Sequence, residues 1–243
     1  MSVQPTERII VTGAAGGIGV ATIQLLAREG RELVCVDLDQ DSLEAILDLD
    51  LPIKPQLLVS DLSSPAECER VIEQAGGGIS GLVHLAGIFE RDDEINADAT
   101  HWDRIIGANL RNAYDLVGAM MPELLHARTP ARFVFVSSLA FRRGSPENMA
   151  YSISKGGIVG LVRSLSRKLG ARARVNGLAP GIIETPMVTD LVAEHGERLL
   201  GSIPLERFGK PEDVASVIDF LMSPAADYIT GQILNVDGGM VFS

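Results

Sequence analysis

The chain of 243 residues is poor in the groups that build metal centres and covalent staples: it has two cysteines and four histidines. Cys35 falls in an apolar strand-like run and Cys68 in a polar helical one. Neither has metal-ligand spacing, so no metal site and no disulfide framework is expected. Two isolated thiols suit a reducing compartment and place the chain in the cytoplasm. No apolar run approaches the roughly 20 residues of a membrane-spanning helix. No basic segment leads into an apolar one at the N-terminus, so no signal peptide is expected. Positive charge is also scarce: 21 lysines and arginines face 32 acids, a formal net charge of −11. That balance argues against nonspecific nucleic-acid binding and favours solubility. Internal repeats and low-complexity linkers are lacking too. Ala75-Gly76-Gly77-Gly78 reads as a surface turn, and residues 1–243 are expected to form one large α/β domain.

Apolar, β-branched runs recur along the chain: Arg8-Ile9-Ile10-Val11-Thr12, Leu33-Val34-Cys35-Val36, and segments near 56–60, 81–85, 132–137, 174–178 and 232–236. Each is short enough for a buried strand. Between them lie helical patterns near 20–29, 41–49, 65–74, 100–126, 150–169 and 211–222. Strands alternating with helices predict a doubly wound, mainly parallel sheet of about seven strands with helices on both faces.

The first strand runs directly into Gly13-Ala14-Ala15-Gly16-Gly17-Ile18-Gly19 and then into a helix. Strand, glycine turn and helix together are the context that a dinucleotide-binding fingerprint requires. Gly13 permits the tight turn, Gly17 lets the backbone approach a pyrophosphate, and Gly19 allows helix and sheet to pack closely. The free N–H groups and the dipole of the helix start favour phosphate. The second strand ends at Asp37, where a carboxylate can accept hydrogen bonds from the adenosine ribose hydroxyls and repel a 2′-phosphate. No arginine or lysine lies in the turn or immediately after Asp37. The cofactor expected is therefore NAD(H) over NADP(H).

Tyr151 and Lys155 stand four residues apart in Ala150-Tyr151-Ser152-Ile153-Ser154-Lys155, with Ser138 upstream. On a helix this spacing puts phenol and ammonium on one face. A free tyrosine titrates near about 10, and a fixed positive charge beside it is expected to lower that value and make it a working acid/base. A serine hydroxyl nearby can donate to a substrate oxygen. Alone the pair is a weak signal, since tyrosine and lysine meet at this spacing on many helices. The glycine turn is what gives it weight.

Together these residues resemble the short-chain dehydrogenase/reductase family. The family's TGxxxGxG turn corresponds to Thr12 through Gly19, with Ile18 inside it, and its Ser…YxxxK set to Ser138, Tyr151 and Lys155. The resemblance spans essentially the whole chain. It implies that Asn109 is a fourth catalytic residue, supporting a proton-relaying water next to the lysine. It also implies that Asp61 and Leu62 contact adenine, that Ala86 and Gly87 pass close to the cofactor, and that Pro180, Gly181, Ile183 and Thr185 form the nicotinamide-side loop. One motif departs: the family's NNAG is His84-Leu85-Ala86-Gly87 here, and His84 reads as a structural substitute. Tyr228-Ile229-Thr230-Gly231 and Val236-Asp237-Gly238-Gly239-Met240 are most similar to the 3-oxoacyl-[acyl-carrier-protein] reductases. That branch commonly uses NADPH, whereas Asp37 points to NAD.

The resemblance implies an oxidoreductase that interconverts a secondary alcohol and a ketone. The alternative is a non-catalytic dinucleotide-binding sensor on the same fold. Substrate identity is expected to reside in residues 139–150 and in a lid over 187–208, which carries Met187, Val188, Leu191, His195 and Leu199. Arg142 and Arg143 leave open an anionic substrate, and an acyl thioester is a second alternative. The family further implies a homotetramer in which the helices at 100–126 and 150–169 pair and bury Leu116, Met120, Ile158 and Leu165 between subunits.

Overall fold

Seven strands form one sheet in which every pairing is parallel: β1 (Arg8–Thr12), β2 (Glu32–Asp37), β3 (Gln56–Val59), β4 (Ile79–His84), β5 (Ala131–Val136), β6 (Ala173–Pro180) and β7 (Ile233–Val236). They are seen in a computed structural model that describes residues 7–92, 99–127 and 129–242. The strand order is β3-β2-β1-β4-β5-β6-β7. Nine helices accompany them among the described residues: α1 (Gly17–Arg28), α2 (Gln40–Glu44), α3 (Pro65–Ala75), α4 (Ala99–Ile106), α5 (Asn112–His126), α6 (Ala140–Arg143), α7 (Met149–Leu169), α8 (Thr189–Leu200) and α9 (Pro211–Leu221).

Alternation along the strands decides which residues meet which helices, because successive side chains point to opposite faces. Ile10, Phe133, Phe135 and Val175 face a core built with Val71 of α3, Leu116 and Met120 of α5, and Ile158 and Val162 of α7. Ile9, Val11, Cys35 and Val134 face the other layer, with Ile23 and Leu26 of α1, Leu43 of α2, and Val214 and Ile218 of α9. Both faces are covered, so the strands read as continuous apolar runs. Phe133 and Phe135 leave water entirely, a gain of roughly 1.5–3 kcal/mol each.

Helix ends follow from local chemistry. Ser64 caps α3 by accepting from the Glu67 N–H at 3.3 Å, Pro65 starts the helix, and Gly76 closes it in the left-handed conformation at φ 79°. The helix expected over 100–126 is interrupted: between α4 and α5, Gly107–Arg111 widen into a π turn. Asn109 donates to the Ile105 carbonyl at 3.0 Å and Asn112 to the Ala108 carbonyl at 2.6 Å. Two side-chain amides thus compete with the backbone ladder at neighbouring turns, and the helix opens there.

The order in which strands are added reverses between β1 and β4, since β2 and β3 extend to one side of β1 and the later strands to the other. A crevice outside the carboxyl ends of β1 and β4 is the ligand position such a topology creates.

Candidate active site

The turn after β1 is shaped by missing side chains. Gly13 has φ +64°, and a Cβ there would lie 2.8 Å from the Ala86 nitrogen and the Leu85 carbonyl carbon. The turn is therefore pressed onto the segment that follows β4. A Cβ on Gly19 would come within 2.3 Å of the Gly13 oxygen and 2.5 Å of the Ala14 oxygen, so this glycine closes the turn on itself; the expected helix–sheet contact is not its reason. A Cβ on Gly17 would meet the Thr185 methyl at 3.0 Å. Its smoothness admits the loop after β6, where the sequence suggested the approach of a pyrophosphate. α1 begins with no side-chain cap and no acid in its first turn, so its leading N–H groups remain for an anion.

Asp37 ends β2 and holds the turn: its Oδ2 accepts from Ala15 N at 2.9 Å and its Oδ1 from Leu38 N at 2.7 Å. A carboxylate has about four lone-pair sites, so acceptor capacity remains. Asp61 is exposed and accepts from Ser63 N at 2.9 Å, whereas the Leu62 side chain is buried in the core. Leu62 therefore has only its backbone to present at this end of the sheet.

His84 is buried at the end of β4, with Nδ1 2.9 Å from Thr12 Oγ1, and Ala86 N donates to the same hydroxyl at 3.3 Å. Burial, and then the nearby Lys155 charge, push its pKa down to about 3, partly offset by Asn112. A neutral imidazole hydrogen-bonded to Thr12 ties the ends of β1 and β4 together, the bracing that the departed asparagines suggest.

A cleft of about 380 Å³ opens above these strand ends, within the range typical of ligand pockets, roughly 300–1,000 Å³. It is lined by Gly13, Gly17, Ile18, Gly19, Gly87 and Asn109, by Ser138, Tyr151 and Lys155, and by Pro180, Gly181, Ile183 and Thr185. Thirteen of the residues singled out in the sequence thus converge. Asp37, Asp61, Leu62 and Ala86 lie outside this lining, toward the ends of β2, β3 and β4. An anion-receptive helix start, a glycine floor and a carboxylate at the end of β2 fit a dinucleotide.

Ser138 follows β5, and Tyr151 and Lys155 lie one turn apart on α7. Ser138 hydrogen-bonds the Tyr151 phenol. Lys155 is 6% exposed, and its Nζ donates to the Val136 carbonyl at 3.1 Å. Ser137 Oγ donates to the Lys155 carbonyl at 2.7 Å and pins α7 to the end of β5. Asn109 is committed: Oδ1 accepts from Ile88 N, and Nδ2 donates to Ile88 O and Ile105 O, each at 3.0 Å. A Cβ on Gly87 would fall 2.3 Å from Asn109 Oδ1 and 3.3 Å from Lys155 Nζ, so only glycine can pass there.

One electrostatic expectation is overturned. The Tyr151 pKa is raised, by burial, with the Ser138 hydrogen bond opposing. Burial also lowers Lys155, to about 8. Lys155 Nζ lies 5.5 Å from the centre of the tyrosine ring and is held by Val136. The ammonium therefore sits over the ring, and loss of solvent sets the direction of the shift at both groups.

Several contributors carried no motif. Phe89 packs edge-on against Tyr151 at 5.0 Å, and Ser137 and the Val136 carbonyl fix the lysine. A second pocket of about 280 Å³ shares Ser138, Tyr151, Gly181, Met187 and Val188 with the first. The lid residues Leu191, His195 and Leu199 reach it from α8. Arg143 lines it too, but Arg142 does not: its Nε donates to Asn235 Oδ1 at 3.2 Å and its guanidinium lies 4.7 Å above the Phe141 ring. Only the second arginine of that pair faces the pocket.

The fold and the convergent cleft define a nicotinamide-dinucleotide oxidoreductase class, and comparison with known proteins agrees. The family model described as enoyl-(acyl carrier protein) reductase matches residues 13–241. The chain belongs to the short-chain dehydrogenase/reductase family. It is 37% identical to the 3-oxoacyl-[acyl-carrier-protein] reductase of Thermotoga maritima, over 96% of each chain. It is 34% identical to the acetoacetyl-CoA reductase of a Synechocystis species, over 95% of this chain and 94% of that one. Among solved structures, the short-chain dehydrogenase/reductase (glucose/ribitol dehydrogenase) of Brucella melitensis superposes with a TM-score of 0.91 at 36% identity, covering 98% of this chain and 97% of the other. A protein described as a 2-deoxy-D-gluconate 3-dehydrogenase from Agrobacterium tumefaciens, with bound NADP, gives 0.88 at 33% identity, covering 96% of each chain.

Proposed function

We propose that the protein interconverts a ketone and a secondary alcohol with NAD(H), and that 3-oxoacyl thioesters are among the ketones it accepts. The observation that carries this reading is the meeting of Ser138, Tyr151 and Lys155 in one cleft with the uncapped start of α1. When bound, the nicotinamide ring supplies hydride to the carbonyl carbon or takes it from the carbinol carbon. Ser138 orients the substrate oxygen. Tyr151 gives its phenolic proton to that oxygen during reduction and takes the proton back during oxidation. Lys155 holds the ribose and draws the proton exchange toward Asn109, which supports a relay water. The glycine turn and the α1 start bind the pyrophosphate, with Ala86, Gly87, Pro180, Gly181, Ile183 and Thr185 enclosing the rest. Asp37 takes the ribose hydroxyls and is the reason for preferring NAD(H). A sensor without turnover is disfavoured because both Tyr151 and Lys155 are in place.

The test is reduced-cofactor consumption with a panel of ketones, including acetoacetyl thioesters, using NADH and NADPH in parallel. Turnover of at least one ketone, with higher kcat/KM for NADH, is expected. No turnover with any of them overturns the enzymatic reading, and equal efficiency overturns the cofactor preference.

The proposed assembly remains a homotetramer in a cytoplasmic setting, but its contacts must change. Leu116, Met120, Ile158 and Leu165 lie in the chain's own core. The large apolar groups that α5 and α7 leave exposed are Tyr114 at 66%, Leu125 at 49%, Ile153 at 48% and Met149 at 38%. Light scattering at micromolar concentration checks this, and a monomer there refutes it.

A further inference from the structure

The pocket beside Tyr151 has a graded lining. Ser138 and Tyr151 stand where it joins the cofactor cleft; Leu139, Val188, Leu191 and Leu199 make an apolar stretch; Arg143 from α6 and Arg198 from α8 are exposed at its rim. The charges around that rim are unevenly matched. Glu147 is paired with Arg91 at 3.5 Å, and Glu194 is paired with Arg91 as well. His195 Nε2 lies 3.8 Å from Glu194. Arg142 is spent on Asn235 and Phe141. Among the described residues, neither Arg143 nor Arg198 has a side-chain acceptor, although acids outnumber bases by 32 to 21. The two rim acids thus share a third arginine, Arg91, while two guanidinium groups from separate elements face the pocket unpaired by any described side chain.

Resting on the proposed oxidoreductase activity, we infer that Arg143 and Arg198 form an anion-recognising pair, and that the ketone this protein reduces carries a carboxylate or phosphate at the end remote from its reacting carbonyl. A guanidinium presents paired N–H donors that match either oxyanion. The apolar middle of the pocket then carries the chain between anion and carbonyl. The pair acts on substrate affinity and orientation and leaves hydride and proton transfer to the residues at the inner end. Arg198 rides on α8, so binding the anion also holds that helix over the pocket.

The experiment compares two matched substrate pairs in the full chain. 6-Oxoheptanoate is set against its methyl ester, which loses the carboxylate charge, and acetoacetyl-CoA against acetoacetyl-N-acetylcysteamine, which loses the phosphates. Kinetics are measured for the starting protein, Arg143→Ala, Arg198→Ala and the double variant, with Arg163→Ala on the outer face of α7 as a control. In the double variant, KM for the charged member of one pair should rise on the order of tenfold, the scale of a lost charge-assisted hydrogen bond. kcat and both neutral substrates should change less than about twofold. Whichever pair responds identifies carboxylate or phosphate as the anion. KM for the charged substrate should also rise with salt in the starting protein and less in the double variant. If charged and neutral members respond alike, the pair does not recognise an anion. If no ketone turns over, the activity reading fails separately, and thermal shifts decide the pair. A shift induced by 6-oxoheptanoate or inorganic phosphate and lost in the double variant supports it; equal shifts, or none, overturn it.

Discussion

The two halves of the cleft are built by different means. The nucleotide half is made of backbone: Gly13, Gly17 and Gly19 shape it by what they lack, and strand ends fixed on both sides hold it. The substrate half is made of side chains on α6, α7 and α8, three helices that follow β5 and β6, and much of its rim is exposed. A backbone site can accept one rigid ligand common to many proteins, whereas a side-chain rim can be changed residue by residue without disturbing the sheet. Tyr151 stands where the two halves meet.

The largest effect should come from that junction. Tyr151→Phe removes one oxygen and should lower turnover by about 10²–10⁴, the range for a lost general acid/base. NADH binding, followed by its fluorescence, should stay within about twofold because the nucleotide half is untouched. Near-normal turnover would end the proposed mechanism.

Gly19→Ala attacks only the nucleotide half. Its Cβ cannot fit 2.3 Å from the Gly13 oxygen, so the turn must shift, at a cost of about 1–3 kcal/mol of overpacking strain. NADH affinity should fall and Tm should drop, while Arg163→Ala changes neither. Unaltered binding would mean that the turn does not hold the cofactor.

Lys155 allows a test by pH. Its folded pKa of about 8 lies below the ordinary 10.5, so between those values the unfolded chain binds more protons. The Lys155 contribution to stability should therefore rise as pH increases from about 8 toward 10.5, by at most about 3 kcal/mol. Above the ordinary tyrosine value of 10.0, the raised pKa of Tyr151 works against that rise. Cys35 and Cys68, whose buried thiols are pushed up from 9.0 to about 12, lower stability over the same range, so the Lys155 gain is read as the difference between the starting protein and Lys155→Met in denaturant titrations at pH 8 and pH 10. An equal change in the variant would assign the titration elsewhere.

Asp37→Ser should produce the smallest change. The ratio of kcat/KM for NADPH to that for NADH should rise about tenfold, the scale of losing hydrogen bonds to a charged group. An unchanged ratio would show that cofactor choice is made elsewhere in the nucleotide half.

Seven apolar runs, the glycine turn and the Tyr151–Lys155 spacing were legible in the sequence because each depends on neighbours a few positions away. Strand burial follows from β-branched runs, the turn from residues tolerant of positive φ, and the shared helix face from the 3.6-residue period. Side-chain direction follows no such rule, because it is settled by what packs against the chain from distant segments. Leu116 and Met120 could not be told from interface residues until the sheet stood beneath them. Arg142 and Arg143 are adjacent, yet Asn235, 93 positions from Arg142, claims one and leaves the other at the pocket. The sequence determined that a tyrosine and a lysine share a helix face. Only the tertiary structure decided that the lysine is held by the Val136 carbonyl above the ring, where burial shifts both groups toward their neutral forms.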